Sequence, residues 1–172
     1  MAPRLLIVGG GKMGSALLAG LITGGWATEG ELAVCEPDPH RRKALTEAHP
    51  GVSITQGPVP ADAAVLAVKP DVAEAVLSTL SGVGVTRILS IVAGLSSARL
   101  EAALPPGAVV VRAMPNTPAL IGAGVAGMSG GSAATSTDLE WAEGILGSVG
   151  QVVRLPERHL DAVTAISGSG PA

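Results

Sequence analysis

The sequence predicts a doubly wound α/β fold, a mainly parallel sheet with helices on both faces. Short, strongly apolar runs alternate along the 172 residues with stretches whose apolar residues recur at helical spacing. The links between them are short, which suits strand–helix–strand crossovers. Runs such as Leu5-Leu6-Ile7-Val8 also lack the polar alternation of a one-sided strand, so they are expected to be buried on both faces.

The first strand is Leu5 to Val8, ended by Gly9-Gly10-Gly11. Met13, Leu17, Leu18, Leu21 and Ile22 share one helix face, and Gly24-Gly25 closes that helix. Glu31 to Cys35 reads as the second strand. Asp38-Pro39 supplies an N-cap and a first-turn proline for a helix running to about Ala48. Val52-Ser53-Ile54 is a brief third strand and Ala63 to Val68 a stronger fourth. Val72, Val76 and Leu80 mark the inner face of the helix that follows Lys69-Pro70. Arg87 to Val92 is the fifth strand, with a helix beginning near Ser96 or Ser97. Ala108 to Val111 is the sixth. Residues 115–124 read as a Pro/Gly loop, and Val125 to Met128 as a short further strand. Thr137 and Glu140 have capping-box spacing and open a helix with Leu139, Ala142 and Leu146 facing inward. Gln151 to Arg154 is the last strand.

Composition removes several function classes. Hydrophobic residues are 47% and charged residues 15%, as in a packed globule. With two Trp and no Phe or Tyr, the chain has no stacking platform for single-stranded nucleic acid. The net charge of −3, with no basic block longer than Arg41-Arg42-Lys43, argues against nucleic-acid and membrane-surface partners. The three His and the lone Cys35 have no zinc-like spacing, so no metal is expected. A single cysteine also suits a reducing, cytoplasmic location. The uncharged stretch 113–137 is interrupted by Pro115, Pro118 and many glycines, and no membrane span is expected.

Ligands of such sheets bind beyond the carboxyl ends of the strands, and the distinctive residues cluster there. Gly9, Gly11 and Gly14 form a G-x-G-x-x-G pattern between a strand and a helix. There the glycines allow a tight turn, a close backbone approach to a pyrophosphate and close helix packing. Val8, Gly10, Lys12 and Met13 complete this candidate dinucleotide corner; Lys12 would add charge near the phosphates. Glu36, 22 residues after Gly14, is placed to accept from a ribose 2′-OH. Arg41 and Arg42 follow within reach of a 2′-phosphate, so NADP(H) and NAD(H) both remain open, and Glu36 must point away if NADP(H) is used. Ala67-Val68-Lys69-Pro70 and the small pair Ala93-Gly94 are candidate walls for ribose and nicotinamide. Met114-Pro115-Asn116 holds the only Asn of the chain, able to donate and accept. Ser167-Gly168-Ser169-Gly170-Pro171 supplies backbone N–H groups and hydroxyls suited to a small carboxylate.

Together these clusters resemble pyrroline-5-carboxylate reductase. The resemblance rests on IVGGGKMG (7–14), LAVKP (66–70), SIVAG (90–94), VVRAMPNTPALIGAG (110–124) and LDAVTAISGSGPA (160–172), in the family's order and across nearly the whole chain. It implies a Rossmann domain over residues 1–164, with 165–172 opening a linker into a helical dimerisation domain that this chain lacks. It implies NADP(H), with NAD(H) possible, and reduction of 1-pyrroline-5-carboxylate to L-proline by a homo-oligomeric parent protein. Gly9 to Gly14 would hold the pyrophosphate, Ala67–Pro70 and Ala93-Gly94 would line ribose and nicotinamide, and Asn116 with Met114 and Pro115 would border the nicotinamide and substrate. Ser167–Pro171 would receive the substrate carboxylate. No proton donor stands out, and the 172-residue chain alone is expected to turn over poorly. Another imine or β-hydroxyacid oxidoreductase, or a dinucleotide-sensing module without catalysis, are the competing readings.

Overall fold

The computed structural model describes residues 2–163 and Ala165. Eight strands form one sheet in the order β3-β2-β1-β4-β5-β6-β7-β8. They are β1 (Leu5–Val8), β2 (Leu32–Cys35), β3 (Ser53–Thr55), β4 (Ala64–Leu66), β5 (Arg87–Ser90), β6 (Val109–Pro115), β7 (Gly124–Gly130) and β8 (Gly150–Arg154). The helices are α1 (Lys12–Thr23), α2 (Pro39–Ala48), α3 (Pro70–Gly82), α4 (Ser97–Ala102), α5 (Ser136–Gly147) and α6 (Leu160–Val163).

Strand β1 displays the physics of the whole sheet. All four of its side chains are buried, but they serve different layers. Leu5 and Ile7 join the core under α1 and α5 with Leu17, Leu21 and Ile145. Leu6 and Val8 join the opposite core with Ala73, Leu77 and Leu80 of α3 and Leu100 of α4. Successive strand side chains point to opposite faces, so a strand roofed on both sides must be apolar throughout.

Strands β1 to β6 run parallel. β6 and β7 are antiparallel, and β8 lies parallel to β7. The reversal follows from the link between β6 and β7. It is one 3₁₀ turn, Thr117–Ile121, closed by Gly122 at φ +73°, which is too short for a crossover but sufficient to fold the chain back beside itself. Between β7 and β8 there is room for α5, and the parallel arrangement returns.

Several elements differ from the sequence expectation. β4 is three residues long and β6 seven, each defined by its pairing with neighbours rather than by its apolar run. The buried face of α3 is Ala73, Leu77 and Leu80; Val72 is 44% exposed, because the helix begins at Pro70 and its phase is set by that start. The capping box of α5 is Thr135 with Asp138, two positions before the expected pair. Both pairs have the right spacing, but Arg87 on β5 reaches Asp138 at 2.8 Å and selects that register. Its guanidinium also lies over the Trp141 ring, 4.3 Å from the centroid.

Candidate functional site

Because β1, β2, β4, β5 and β6 are parallel neighbours, the loops that leave their carboxyl ends open along one edge of the sheet. Residues 9–14, 36–42, 67–70, 93–94 and 114–116 therefore line that one edge. From β1 the chain runs to β2 and β3 on one side and then crosses over from β3 to β4 on the other, so the crevice at the end of β1 is the switch point of the fold.

The three glycines of the corner have different reasons to be glycine. Gly9 sits at φ +105°, and a Cβ there would lie 2.4 Å from the Ala67 carbonyl oxygen of the neighbouring strand end. A Cβ on Gly14 would lie 1.9 Å from the Gly9 carbonyl oxygen, so only glycine lets α1 pack this close to the turn. Gly11 has φ −71° and ψ −172°, which any residue adopts, and a Cβ there would meet nothing within 4 Å. The protein itself does not require glycine at position 11. The cleared space lies directly before the first turn of α1.

Gly11 is also the N-cap of α1, and no side chain caps that helix. Asp38, Ser96 and Thr135 each accept from an amide at the start of α2, α4 and α5, while α3, which begins at Pro70, is uncapped like α1. An uncapped helix start with its positive dipole end facing an open, side-chain-free space is suited to an anion. Lys12 is exposed at its rim, and Met13 is half-buried against the core.

Glu36 is 2% exposed and turned inward. Its Oε2 accepts from the Gly10 N–H at 2.9 Å and its Oε1 from the Asp38 N–H at 2.9 Å. The carboxylate thus ties the glycine corner to the end of β2. Arg42 braces the same turn, donating to the Glu36 and Pro37 carbonyl oxygens at 2.9 and 2.7 Å. The side chain of Arg41 is 61% exposed, with Nη1 3.8 Å from the Glu36 carboxylate. Asp38 accepts from the Arg41 and His40 amides, and that Arg41 hydrogen bond holds its carboxyl below the usual range.

Between this corner and α3 lies an apolar cavity of about 310 Å³, lined by Val8, Cys35, Pro37, Val68 and Val76 among others. Burial, with the Glu36 charge beside it, pushes the Cys35 thiol up to about 11, so it is a neutral wall residue. Val68 and Ala67 are half-buried where β4 ends, while Lys69 and Pro70 are exposed and start α3. Ala93 and Gly94 are exposed beyond β5, with Gly94 at φ +75°. Met114 is buried. Pro115 and Asn116 are half-buried, and the Asn116 Oδ1 accepts from the Val125 N–H at 2.9 Å, tying the end of β6 to β7. Ser167 to Pro171 lie outside the described residues.

The sequence reading missed a buried charge at this end of the sheet. Arg112, in the middle of β6, is 3% exposed and pairs with Glu157 and Asp161. An arginine inside the apolar run Val109-Val110-Val111-Arg112-Ala113-Met114 was the available signal. Among the described residues no group of His, Cys, Asp or Glu is placed to hold a metal ion, and no helix is long and apolar enough to cross a membrane.

The architecture is that of the doubly wound dinucleotide-binding domains. Residues 4–94, more than half of the chain, match the family described as NADP oxidoreductase, coenzyme F420-dependent, and the chain belongs to that family. Over 98% of its length it is 39% identical to the pyrroline-5-carboxylate reductase of Mycobacterium tuberculosis, of which the match covers 60%. Among solved structures, a pyrroline-5-carboxylate reductase from Coxiella burnetii superposes with a TM-score of 0.90 at 30% identity, covering 99% of this chain and 66% of that one. The Plasmodium falciparum pyrroline carboxylate reductase with NADP bound superposes with a TM-score of 0.84 at 29% identity, covering 98% of this chain and 63% of that one. The chain thus spans somewhat less than two thirds of the length of these relatives.

Proposed function

We propose that this chain is the dinucleotide-binding part of an NADPH-dependent reductase that converts 1-pyrroline-5-carboxylate to L-proline. The observation that carries the reading is Gly11: a glycine with ordinary backbone angles and no neighbour within 4 Å, at the start of a helix that no side chain caps. Gly30, Gly57, Gly82 and Gly147 are equally open, but Gly11 is the one of these that stands before a helix at the carboxyl end of β1. A pyrophosphate on the α1 amides accounts for both facts.

The other residues take their places around it. The apolar cavity beside Val8, Cys35 and Val68 is suited to a purine ring. The inward Glu36 removes the carboxylate that would repel a 2′-phosphate, and Arg41 stands exposed on that rim, which favours NADPH over NADH. Ala67–Pro70, Ala93-Gly94 and Met114–Asn116 wall the crevice farther along the sheet, where small side chains let a ring lie close to the backbone. A dinucleotide held there would supply a hydride for the imine carbon of the substrate, with the proton for the ring nitrogen coming from solvent. The chain contributes placement and the exclusion of water. Residues 1–164 form the dinucleotide-binding domain and 165–172 begin the connection to a helical dimerisation domain. Ser167–Pro171 then take the substrate carboxylate, in a cytoplasmic homo-oligomer.

The test pairs titrations of NADPH and NADH with an assay of pyrroline-5-carboxylate-dependent NADPH oxidation, on the native chain and on Gly11→Val. NADPH is expected to bind the native chain more tightly. Gly11→Val is expected to lose at least ~100-fold in affinity, about 2.7 kcal/mol, with an almost unchanged melting temperature. Equal affinity in both proteins would reduce the glycine corner to a turn. Binding without turnover, at every protein length tried, would favour the sensing module.

A further inference from the structure

Arg112 is the one buried arginine of the described residues. It lies mid-strand, opposite Ser90 of β5 and Ser129 of β7. Its guanidinium Nη2 donates to Asp161 Oδ1 at 2.8 Å and Nη1 to Glu157 Oε1 at 3.2 Å. Nε has no hydrogen-bond partner among the described residues. The same Glu157 oxygen also accepts the Ser97 N–H at 2.6 Å. Three separate pieces of chain therefore meet at the Arg112–Glu157 pair: β6 through the arginine, the first residue of α4 through the Glu157 carboxylate, and the segment from the 3₁₀ turn Glu157–His159 into α6. Burial alone would raise the Glu157 carboxyl, but the donors of Ser97 and Arg112 hold it below the usual range.

This arrangement is a poor way to stabilise a sheet. Arg112 is desolvated while the Glu157 side chain is 32% and that of Asp161 76% exposed, so solvent screens the attraction on the carboxylate side, and an apolar side chain of similar size would fill the position at less cost. What the cation adds is registration, since Glu157 and Asp161 must both come to it. Two of the tethered pieces lead to walls of the crevice: β6 ends in Met114-Pro115-Asn116, and α4 follows the loop of Ala93-Gly94.

We propose that Arg112 is a positioning residue, which ties the segment 157–163 and, through Glu157, the start of α4 to β6 and so sets the nicotinamide and substrate end of the crevice, leaving the glycine corner to hold the pyrophosphate that supplies most of the cofactor affinity. The proposal rests on the reductase reading above.

The experiment compares Arg112→Met, Arg112→Lys and Glu157→Gln with the native protein by amide hydrogen exchange and NADPH titration on this chain, and by pyrroline-5-carboxylate kinetics on the chain extended to the length of its relatives. In Arg112→Met, exchange is expected to quicken about tenfold or more in residues 93–97 and 157–163 and to stay unchanged in residues 5–23. The Kd for NADPH should stay within about twofold and KM for the pyrroline should rise about tenfold. Arg112→Lys keeps the charge but cannot reach both carboxylates, so it should fall in between. Unchanged exchange in the two tethered segments would overturn the proposal. So would a uniform rise through β1 and α1 with matching loss of NADPH affinity, since the arginine would then only support the fold. If turnover is absent both in this chain and in one extended to the length of its relatives, the reductase reading fails, and the exchange pattern still decides the role of Arg112.

Discussion

At the β1–β2–β4 end of the sheet the close contacts are made by backbone. Gly9 lies against the Ala67 carbonyl and Gly14 against Gly9, and Glu36 serves two amides. At the β6–β7 end the comparable task falls to side chains from distant parts of the chain, Arg112 with Glu157 and Asp161. The first region is a short glycine run pressed against neighbouring strand ends, in which Gly9 and Gly14 tolerate no added atom. The second is built from long side chains that can adjust. A corner that must present bare amides to an anion gains from rigidity, because its donors are then aimed before the ligand arrives. A junction between elements far apart in sequence can be held only by groups long enough to reach across.

That contrast can be broken most severely at Gly14. Gly14→Ala places a Cβ 1.9 Å from the Gly9 carbonyl oxygen. We expect a net destabilisation of about 2–3 kcal/mol, even after the ~1 kcal/mol that alanine gains over glycine in a helix. Thermal melting by circular dichroism should show a fall of roughly 5–10 °C, with dinucleotide binding lost in parallel. Set beside Gly11→Val, this separates a glycine the fold needs from one the ligand needs. If both variants melted alike, the distinction would be wrong.

A smaller effect is expected at the rim. Arg41→Ala should weaken NADPH about tenfold, near 1.4 kcal/mol, and leave NADH within about twofold. An equal loss for both cofactors would place Arg41 at the pyrophosphate instead of at the ribose.

The smallest effect is a pH dependence. Glu157 and Asp138 are both held below the ordinary carboxylate range, each against the cost of burial, by Ser97 and Arg112 in one case and by Thr135 and Arg87 in the other. A carboxyl depressed in the folded state stabilises above its unfolded value and ceases to do so as pH falls through its folded value. Melting temperature should therefore be flat from neutral pH to about 5 and decline below the reference values of 4.5 and 3.8. Glu157→Gln and Asp138→Asn should each remove on the order of 2–4 °C of that decline, the change that about 1 kcal/mol makes in a protein of this size. A decline unaltered in both variants would assign it to other carboxylates.

Much of the molecule was legible in the chain because it is local. The run Leu5–Val8 followed by Gly9, Gly11 and Gly14 carries strand, turn and helix start within ten residues. Asp38-Pro39 and Ser96 likewise announce their helices at the positions they cap. The errors arose where two local signals were equally good. Thr137 with Glu140 has the same spacing as Thr135 with Asp138, and only the reach of Arg87 from β5 distinguishes them. The inner face of α3 was displaced by one position for a similar reason, since Val72, Ala73, Val76 and Leu77 offer two adjacent apolar stripes.

From its residues alone this protein was bound to form strands roofed on both faces and a glycine corner before a helix, because alternation, capping and backbone freedom act between neighbours in the chain. Which way Glu36 would face, that β7 would reverse, and that Arg112 would find Glu157 and Asp161 were decided only when the sheet assembled. Those outcomes depend on burial and on distances between residues tens of positions apart, and a carboxylate or guanidinium commits to a partner only once packing has excluded the water that would otherwise hold it.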